Sequence, residues 1–305
     1  MLSVVVPVFN EQESLSAFYS ELIKFVPKLS RNYEIIFVDD GSTDNSLKLI
    51  KGLEKKNKNL RVVFSKKHEG KAEAVTLGFK TAKGEYIVTL DADLQDKPEE
   101  IEKLLKKAKT GWDLVSGWRK NRRDSIFKVI FSKLFNVVAS LAWGFKVNDL
   151  NSGLKVYEAH AAKSLNLYGG MHRFIPLILY QEGFKVTEVP VIHEKRKFGK
   201  SKYGFSKVFT ELPDLFTMLF LMKYAKRPMH FFGVFGGLLF TIGFIILLYL
   251  SFLKFFQGQA IGDRPLLLFG ILLVLTGLQI FFTGFIADLI IHLSSKNERD
   301  SSLHT

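Results

Sequence analysis

The stretch EYIVTLDADLQD, residues 85–96, places an apolar strand directly before three carboxylates and a glutamine amide. Its first six residues have the apolar, β-branched composition of a buried strand. Like charges this close repel one another, and a buried carboxylate needs a partner. The stretch therefore predicts that a metal ion or a set of basic side chains lies at the end of this strand.

Strand and helix patterns alternate on both sides of this stretch. Strands are expected at residues 3–9, 33–38, 61–65, 86–90 and 113–117, and helices near residues 12–25, 43–56, 72–82 and 98–109. This alternation predicts an α/β fold with a doubly wound, mostly parallel sheet. Ligands of such sheets bind at the carboxyl ends of the strands. We expect one crevice there to collect at least four carboxylates, from Glu11, Asp39, Asp40, Asp91 and Asp93.

The apolar residues are concentrated towards the C-terminal end of the chain. Residues 231–253 contain no charged residue, and residues 265–287 repeat this pattern after a short polar loop. Each run is long enough to cross a hydrocarbon core of roughly 30 Å as a helix. A buried helical hairpin is the alternative for one such run, but two in tandem indicate a membrane anchor.

The basic residues predict the orientation of this anchor. Three basic residues precede the first run and two follow the second, against two between the runs. Under the positive-inside rule, both termini, and with them the domain before the first run, are expected to face the cytoplasm. The net charge of +13 belongs entirely to the first 228 residues. Such a domain is attracted to anionic lipid or phosphate groups, and no nucleic-acid-binding signature accompanies it. There is no cysteine, which excludes disulfides and thiolate metal sites.

Two common phosphate-binding motifs are not met. The first strand is followed by FNEQES instead of a GxGxxG turn, and Glu194 stands where the GKS at residues 199–201 would need the first glycine of a P-loop. What remains is a nucleotide pocket without a glycine cradle. Asp40 could accept from a base or a ribose hydroxyl, and Asp91, Asp93 and Gln95 suit a hard cation that neutralises a diphosphate.

Six motifs occur in order along the chain: SVVVPVFNEQES, FVDDGSTDNS, GKAEA, DADLQDKPEEI, NDLNSGLKVY and KRKFGKSKYG. Together they resemble the family-2 glycosyltransferases of GT-A fold, in the branch of dolichol-phosphate mannose synthase and the bacterial polyprenyl-phosphate glycosyltransferases. The resemblance covers about residues 2–210. It implies a catalytic domain at residues 1–205, an amphipathic segment at 206–228, two transmembrane helices within 229–293, at about 231–253 and 265–288, and a polar tail at 294–305.

The resemblance implies a role for each matching residue on the donor side. Nucleotide-sugar binding is expected from Pro7, Phe9, Glu11, Asp39, Asp40, Lys71, Asp91, Arg196 and Lys202. The metal ligands, for Mg²⁺ or Mn²⁺, are expected to be Asp93, Gln95 and Asp91. Catalytic roles are expected for Asp91, Asp93 and Asp149, although Asp149 could equally cap a turn. The basic segment that carries Arg196 could also lie on lipid headgroups.

The acceptor side rests on residues 126–143, an apolar helical pattern. One stripe of this helix carries phenylalanines at a spacing of four, and Lys128 and Ser132 lie on the adjoining stripe. A polar seam beside aromatic side chains suits an anionic headgroup with a lipid tail. The resemblance implies that Arg119, Lys128 and Ser132 bind the lipid phosphate. Lysine at position 128, where the family often has arginine, weakens a bidentate contact.

These features predict an inverting glycosyltransferase at the cytoplasmic face of a bacterial inner membrane. It would move a hexose, with glucose favoured, from a UDP-sugar to undecaprenyl phosphate; GDP-mannose is the other donor considered. The alternatives are transfer to a diacylglycerol-type hydroxyl, which would need a general base, and a catalytically inactive membrane scaffold. Glycines at positions 233, 236 and 237 could pack spans of a homo-oligomer against one another.

Overall fold

The structure, a computed structural model, describes residues 1–120, 144, 147–194, 220, 224 and 227–302, with side chains as far as residue 293. Contacts within the chain divide it into two compact units, Met1–Asp214 and Leu215–Thr305. Each unit is described by itself.

The first unit alternates strands and helices. Its strands are β1 (Leu2–Val8), β2 (Tyr33–Asp39), β3 (Leu60–Phe64), β4 (Tyr86–Thr89), β5 (Leu114–Trp118), β6 (Lys155–Glu158) and β7 (Val186–Pro190). Its helices are α1 (Leu15–Leu29), α2 (Ser46–Glu54), α3 (Lys71–Thr81), α4 (Ile101–Ala108), α5 (Ala159–Ser164) and α6 (Ile175–Gln181). Short 3₁₀ turns at Pro98–Glu100 and Met171–Arg173 precede α4 and α6.

The seven strands form one mixed sheet in the order β3-β2-β1-β4-β6-β5-β7. All pairings are parallel except those of β6, which runs antiparallel to both β4 and β5. The α/β sheet expected from the sequence is confirmed, and the combination of parallel strands with one reversed strand is the GT-A-like arrangement. The carboxyl ends of β1, β2 and β4 therefore meet at one edge, as predicted.

The central strands are buried on both faces by helices. Val4 and Val6 of β1 belong to a core that also contains Phe18 of α1 and Leu104 of α4. On the opposite face, α3 approaches so closely that a Cβ on Gly78 would lie 2.2 Å from the side chain of Val5. Glycine at position 78 thus allows α3 to carry its N-terminal residue, Lys71, to the edge where the strands end.

The second unit contains two long helices, α7 (Pro228–Gln257) and α8 (Pro265–Ser302). Both are long and apolar enough to cross a membrane, and only 11% of the most apolar 18-residue window of each is buried within the protein. The two helices pack through glycine: a Cβ on Gly277 would lie 2.5 Å from the backbone nitrogen of Phe240. The two helices are therefore candidate membrane spans.

Candidate functional site

The first part of the site lies where β2 ends, around Asp40. Its carboxylate accepts hydrogen bonds from the backbone nitrogens of Glu69 (2.9 Å) and Gly70 (3.0 Å) and pairs with His68 Nδ1 at 2.7 Å. The imidazole of His68 stacks on the ring of Phe9, with 3.8 Å between centroids. Asp40 thus holds the residue 68–70 loop, and through it presents two stacked rings at the edge of the sheet.

The neighbouring Asp39 is differently placed. Its Oδ2 accepts from the backbone nitrogen of Ser42 at 3.1 Å. Its Oδ1 is buried and receives no hydrogen bond from any residue that the structure describes. A buried carboxylate oxygen without a donor is costly unless a ligand supplies one. Of the two predicted carboxylates, Asp39 is therefore the one with an acceptor to offer a ribose or base.

Glu11 and its neighbours join the first two loops of this edge. Asn10 has a φ of 53°, and its Oδ1 accepts from the backbone nitrogen of Thr43 at 2.8 Å. The backbone nitrogen of Glu11 donates to Ser46 Oγ (2.9 Å), and Ser14 Oγ donates to Glu11 Oε2 (3.2 Å). These contacts place Glu11 at the start of α1 and hold the β1–α1 and β2–α2 loops together.

The question raised by DADLQD is answered by a lysine. Lys71 Nζ donates to both oxygens of Asp91, at 2.6 and 2.7 Å. Burial acts to raise the pKa of the Asp91 carboxyl, but the charge and hydrogen bonds of Lys71 outweigh it and hold that pKa below its usual value. Asp91 is therefore ionised at neutral pH. Asp91, Lys71 and Pro7, which were predicted separately, line one cleft.

The rest of the DADLQD loop is anchored to the chain near residue 194. Asp93 Oδ1 accepts from the backbone nitrogen of Gln95 (3.1 Å), and Leu94 takes a left-handed φ of 60°. Gln95 Nε2 donates to the carbonyl of Glu194 at 3.2 Å. This loop is thus joined to the residues immediately before the basic KRKFGKSKYG segment.

Asp91 and Asp93 are the oxygen donors to be considered for a divalent cation. Within the described part of the chain, no three His, Cys, Asp or Glu side chains converge as a metal cluster would. Mg²⁺, however, is usually held by one or two carboxylates together with substrate phosphates. Two carboxylates at the end of β4 therefore fit a cation that is shared with a diphosphate.

Arg119 and Asp149 form a bidentate ion pair. Arg119 Nε donates to Asp149 Oδ2 at 2.7 Å and Nη2 donates to Oδ1 at 2.9 Å. Asp149 is 1% exposed, and its backbone nitrogen donates to Glu188 Oε1 at 2.9 Å. The pair fixes the end of β5 to the loop before β6. This geometry supports the turn-holding role that the sequence left open for Asp149.

The cleft that Lys71 and Asp91 line also contains three residues that sequence reasoning missed, Lys155, Tyr157 and His172. Lys155 is 3% exposed and donates from Nζ to the carbonyl of Ser152. Burial lowers the pKa of Lys155 to about 8, and the charge of Lys71 contributes. Lys155 and Tyr157 both face the cleft because they are two residues apart on β6. The signal was present in the alternation of LKVYE, where a lysine begins a buried strand.

Tyr157 and His172 complete the cleft. Tyr157 is buried against Phe79, with 4.9 Å between ring centroids, and its pKa is raised by burial. Thr89 lies beside the Tyr157 hydroxyl, but its own hydroxyl donates to the carbonyl of Gly153. Among the described residues, none forms a hydrogen bond of normal geometry with Tyr157 Oη. Burial, with the charges of Lys71 and Arg173, keeps the pKa of His172 well below its usual value. His172 is thus neutral at neutral pH.

Four of the predicted site residues lie outside the described residues. They are Lys128, Ser132, Arg196 and Lys202. The expected acceptor helix at residues 126–143 and most of the amphipathic segment lie outside them as well. Their roles stay predictions.

The sequence that forms this site matches a known protein family. Residues 3–165 match the model of "Glycosyl transferase family 2", and the chain belongs to this family. A 38% identical relative, the dodecaprenyl-phosphate galacturonate synthase of Rhizobium johnstonii, aligns over 95% of this chain and 87% of its own length. The undecaprenyl-phosphate 4-deoxy-4-formamido-L-arabinose transferase of Photorhabdus laumondii is 33% identical, over 95% of this chain and 88% of its own.

Solved structures agree on the fold. The glucosyl-3-phosphoglycerate synthase of Mycobacterium tuberculosis, crystallised with Mn²⁺ and UDP-glucose, superposes with a TM-score of 0.57. The match covers 73% of this chain and 78% of that one at 19% identity. S. aureus TarS with UDP-GlcNAc gives a TM-score of 0.51 at 21% identity, over 72% of this chain and 66% of that one. At these identities the likeness defines the fold and leaves the substrate to the site itself.

Proposed function

We propose that this chain is an inverting glycosyltransferase that moves a sugar from a nucleotide diphosphate donor to a polyprenyl phosphate. The observation that carries the proposal is the Lys71–Asp91 pair at the end of β4, beside the acidic edge formed by β1 and β2. The Lys71 ammonium, held in place by the Asp91 carboxylate, would offset the negative charge of a diphosphate leaving group at this position. The names of the two relatives support the acceptor in particular, since both include a polyprenyl phosphate and they differ in the sugar.

On the donor side, Asp39 Oδ1 would accept from the ribose or base, next to the ring stack of Phe9 and His68. Lys71 would transfer part of its bonding from Asp91 to the arriving diphosphate. Arg196 and Lys202 would close over it. We propose UDP-hexose as the donor, with UDP-glucose the first to be tested and GDP-mannose the alternative.

We also propose that Asp91 and Asp93, with Gln95, hold a Mg²⁺ or Mn²⁺ ion when the donor is bound. That ion would offset charge on the leaving nucleoside diphosphate. The chain's own contribution is to keep the Asp91 carboxylate ionised through Lys71.

The acceptor needs no strong general base. A phosphate monoester is already ionised near neutral pH, so the nucleophile arrives charged. In-line attack on the anomeric carbon forms the new carbon–oxygen bond as the bond to the diphosphate breaks, which inverts the anomeric centre. Lys128 and Ser132 would hold the phosphate. Arg119 could contribute only while remaining paired with Asp149.

The acidic edge and the membrane helices belong to one chain, so donor and acceptor would meet at a membrane surface. We propose the cytoplasmic face of a bacterial inner membrane, with both termini cytoplasmic. A substitution to cysteine at position 226 tests this, because the chain has no cysteine of its own. Protection from an impermeant thiol reagent added outside intact cells is expected, and labelling there would reverse the topology.

The acceptor assignment is tested by Lys128→Met in the full-length chain. The expected result is a ten- to a hundredfold higher apparent KM for polyprenyl phosphate, because about 1.5–3 kcal/mol of charge-assisted contact is lost, with KM for the donor unchanged. Arg119→Ala is a poor substitute, since it leaves Asp149 buried without its partner. A matched rise in the donor KM would place Lys128 on the nucleotide side.

A further inference from the structure

The loop Asn151–Leu154, which we call the carbonyl loop, lies directly against Asp91. A Cβ added to Gly153 would be 2.6 Å from Asp91 Oδ2 and 2.7 Å from its Cγ. Only glycine allows this approach. The position of the Asp91 carboxylate therefore depends on Lys71 on one side and on the carbonyl loop on the other.

All four backbone carbonyls of the carbonyl loop accept a hydrogen bond from an element around it. The donors are Arg119 Nη2 to Asn151 (2.9 Å), Lys155 Nζ to Ser152, Thr89 Oγ1 to Gly153 (3.0 Å) and the backbone nitrogen of Gly117 to Leu154 (2.9 Å). Strands β4, β5 and β6 and the residue after β5 each contribute to this set. Such complete pairing makes the loop a rigid wall behind the carboxylate.

Lys155 differs from Thr89 and Gly117 because it donates from a buried charged group, and it differs from Arg119 because the charge of Arg119 is paired with Asp149. Among the described residues, no carboxylate lies within ion-pair distance of its ammonium. Asp91, Asp149, Lys71 and Arg119 are the charged groups that act on it. A buried cation with no direct counter-ion lowers stability, so its presence calls for a second role.

We propose that Lys155 is a positioning residue of the donor site, holding the carbonyl loop against Asp91 and adding its charge to that of Lys71 where the diphosphate binds. This inference rests on the proposed function. It gives Lys155 two separable tasks: the hydrogen bond to Ser152, which any donor can perform, and the positive charge, which only lysine or arginine can supply.

Three substitutions separate these tasks in the full-length, detergent-solubilised chain: Lys155→Gln keeps a donor, Lys155→Met keeps neither property, and Lys155→Arg keeps both. Affinity for UDP and for GDP is measured by calorimetry with Mn²⁺, and the thermal midpoint is measured without nucleotide. Lys163→Met, on α5, is the matched control because that side chain is exposed.

We expect Lys155→Gln and Lys155→Met each to lower the affinity for the nucleotide, UDP or GDP, that binds the wild-type chain. The expected decrease is roughly tenfold, because one charge is removed from a low-dielectric site. Lys155→Arg should retain most of the affinity. Lys155→Met and Lys155→Gln both lose the buried charge, but only Lys155→Met also loses the hydrogen bond to Ser152, so its thermal midpoint should lie below that of Lys155→Gln. KM for polyprenyl phosphate should not change.

Unchanged nucleotide affinity in Lys155→Met would overturn the proposal. A lower midpoint that Lys155→Gln restores together with affinity would also do so, since that result assigns Lys155 a purely structural hydrogen bond. If neither nucleotide binds the wild-type chain, the proposed donor chemistry fails. The midpoints still test the hydrogen bond in that case: a Lys155→Gln midpoint above that of Lys155→Met supports the contact that holds the loop, and equal midpoints contradict it.

Discussion

Asp40 follows β2 and Asp91 follows β4, the two strands on either side of β1. Their carboxylates lie at the same edge of the sheet but are held by different kinds of partner. Asp40 accepts two backbone N–H groups and the ring of His68, so its partners belong to the fold. Asp91 is held by a single lysine side chain that could turn toward another anion. The difference teaches which carboxylate is structural and which is exchangeable: backbone donors stay in place when a ligand arrives, whereas an ammonium can be shared with it.

The largest effect is expected at the exchangeable end. Asp93→Ala should abolish transfer, by a hundredfold or more, because the diphosphate would lose the carboxylate that bridges it through a cation. Sugar transfer is measured in membranes containing equal amounts of each chain. Asp263→Ala, in the exposed loop between α7 and α8, is the control. Near-normal activity in Asp93→Ala would remove this residue from the donor site.

Lys71→Met is expected to have the next largest effect. It removes both the partner of Asp91 and a charge for the diphosphate, so the donor KM should rise roughly ten- to a hundredfold. Lys80→Met is a matched control, because Lys80 lies on the same helix and is exposed. If the two variants behave alike, Lys71 is an ordinary solvated lysine and the comparison with Asp40 loses its basis.

Asp39→Asn and Asp40→Asn test the structural side of the comparison. Asp39→Asn should weaken nucleotide binding by about tenfold with little change in thermal stability, since it alters an oxygen that no described residue uses. Asp40→Asn should lower the thermal midpoint instead, because it weakens bonds that hold the residue 68–70 loop. Calorimetry and thermal unfolding on the same two proteins give the answer, and the reverse assignment of the two effects would show that Asp40 is the ligand's acceptor.

The smallest effect concerns pH and Lys155. Its pKa is about 8 in the folded chain against an ordinary 10.5, so between these values the unfolded chain holds the proton that the folded chain has lost. Stability should therefore rise with pH across this window, by on the order of 1–3 kcal/mol, relative to Lys155→Met. Unfolding of the two chains is compared at pH 7 and pH 10, where a constant difference would contradict a buried, charged Lys155.

Much of the fold was predictable, because helix and strand periodicities in the first 117 residues are strong and each strand is followed by turn residues. Strand β6 was missed since its four residues carry a lysine, which is rare in a buried strand. The two long apolar runs were predicted at about residues 231–253 and 265–288, and both fall inside the longer helices α7 and α8, because a long uncharged run is a clear composition signal.

The site was predictable only in part. The motifs identified Lys71 and Asp91, but the sequence could not show that they bind each other, because the position of Lys71 depends on how α3 packs on β1 and β2 around Gly78. Nor could it distinguish Asp39 from Asp40, which differ only in the hydrogen bonds they receive. Lys155 and its carbonyl loop depend on donors from three strands, and no local pattern records such a convergence.

The most direct test of the account is to follow labelled sugar from a UDP-hexose, starting with UDP-glucose, or from GDP-mannose, in membranes that contain the full-length chain. Polyprenyl phosphate is added to one sample and diacylglycerol to another, with the Asp93→Ala chain as the blank. The account predicts label in a lipid that forms only when polyprenyl phosphate is present and that carries an inverted anomeric linkage. Label in diacylglycerol, or equal labelling by the Asp93→Ala chain, would contradict it.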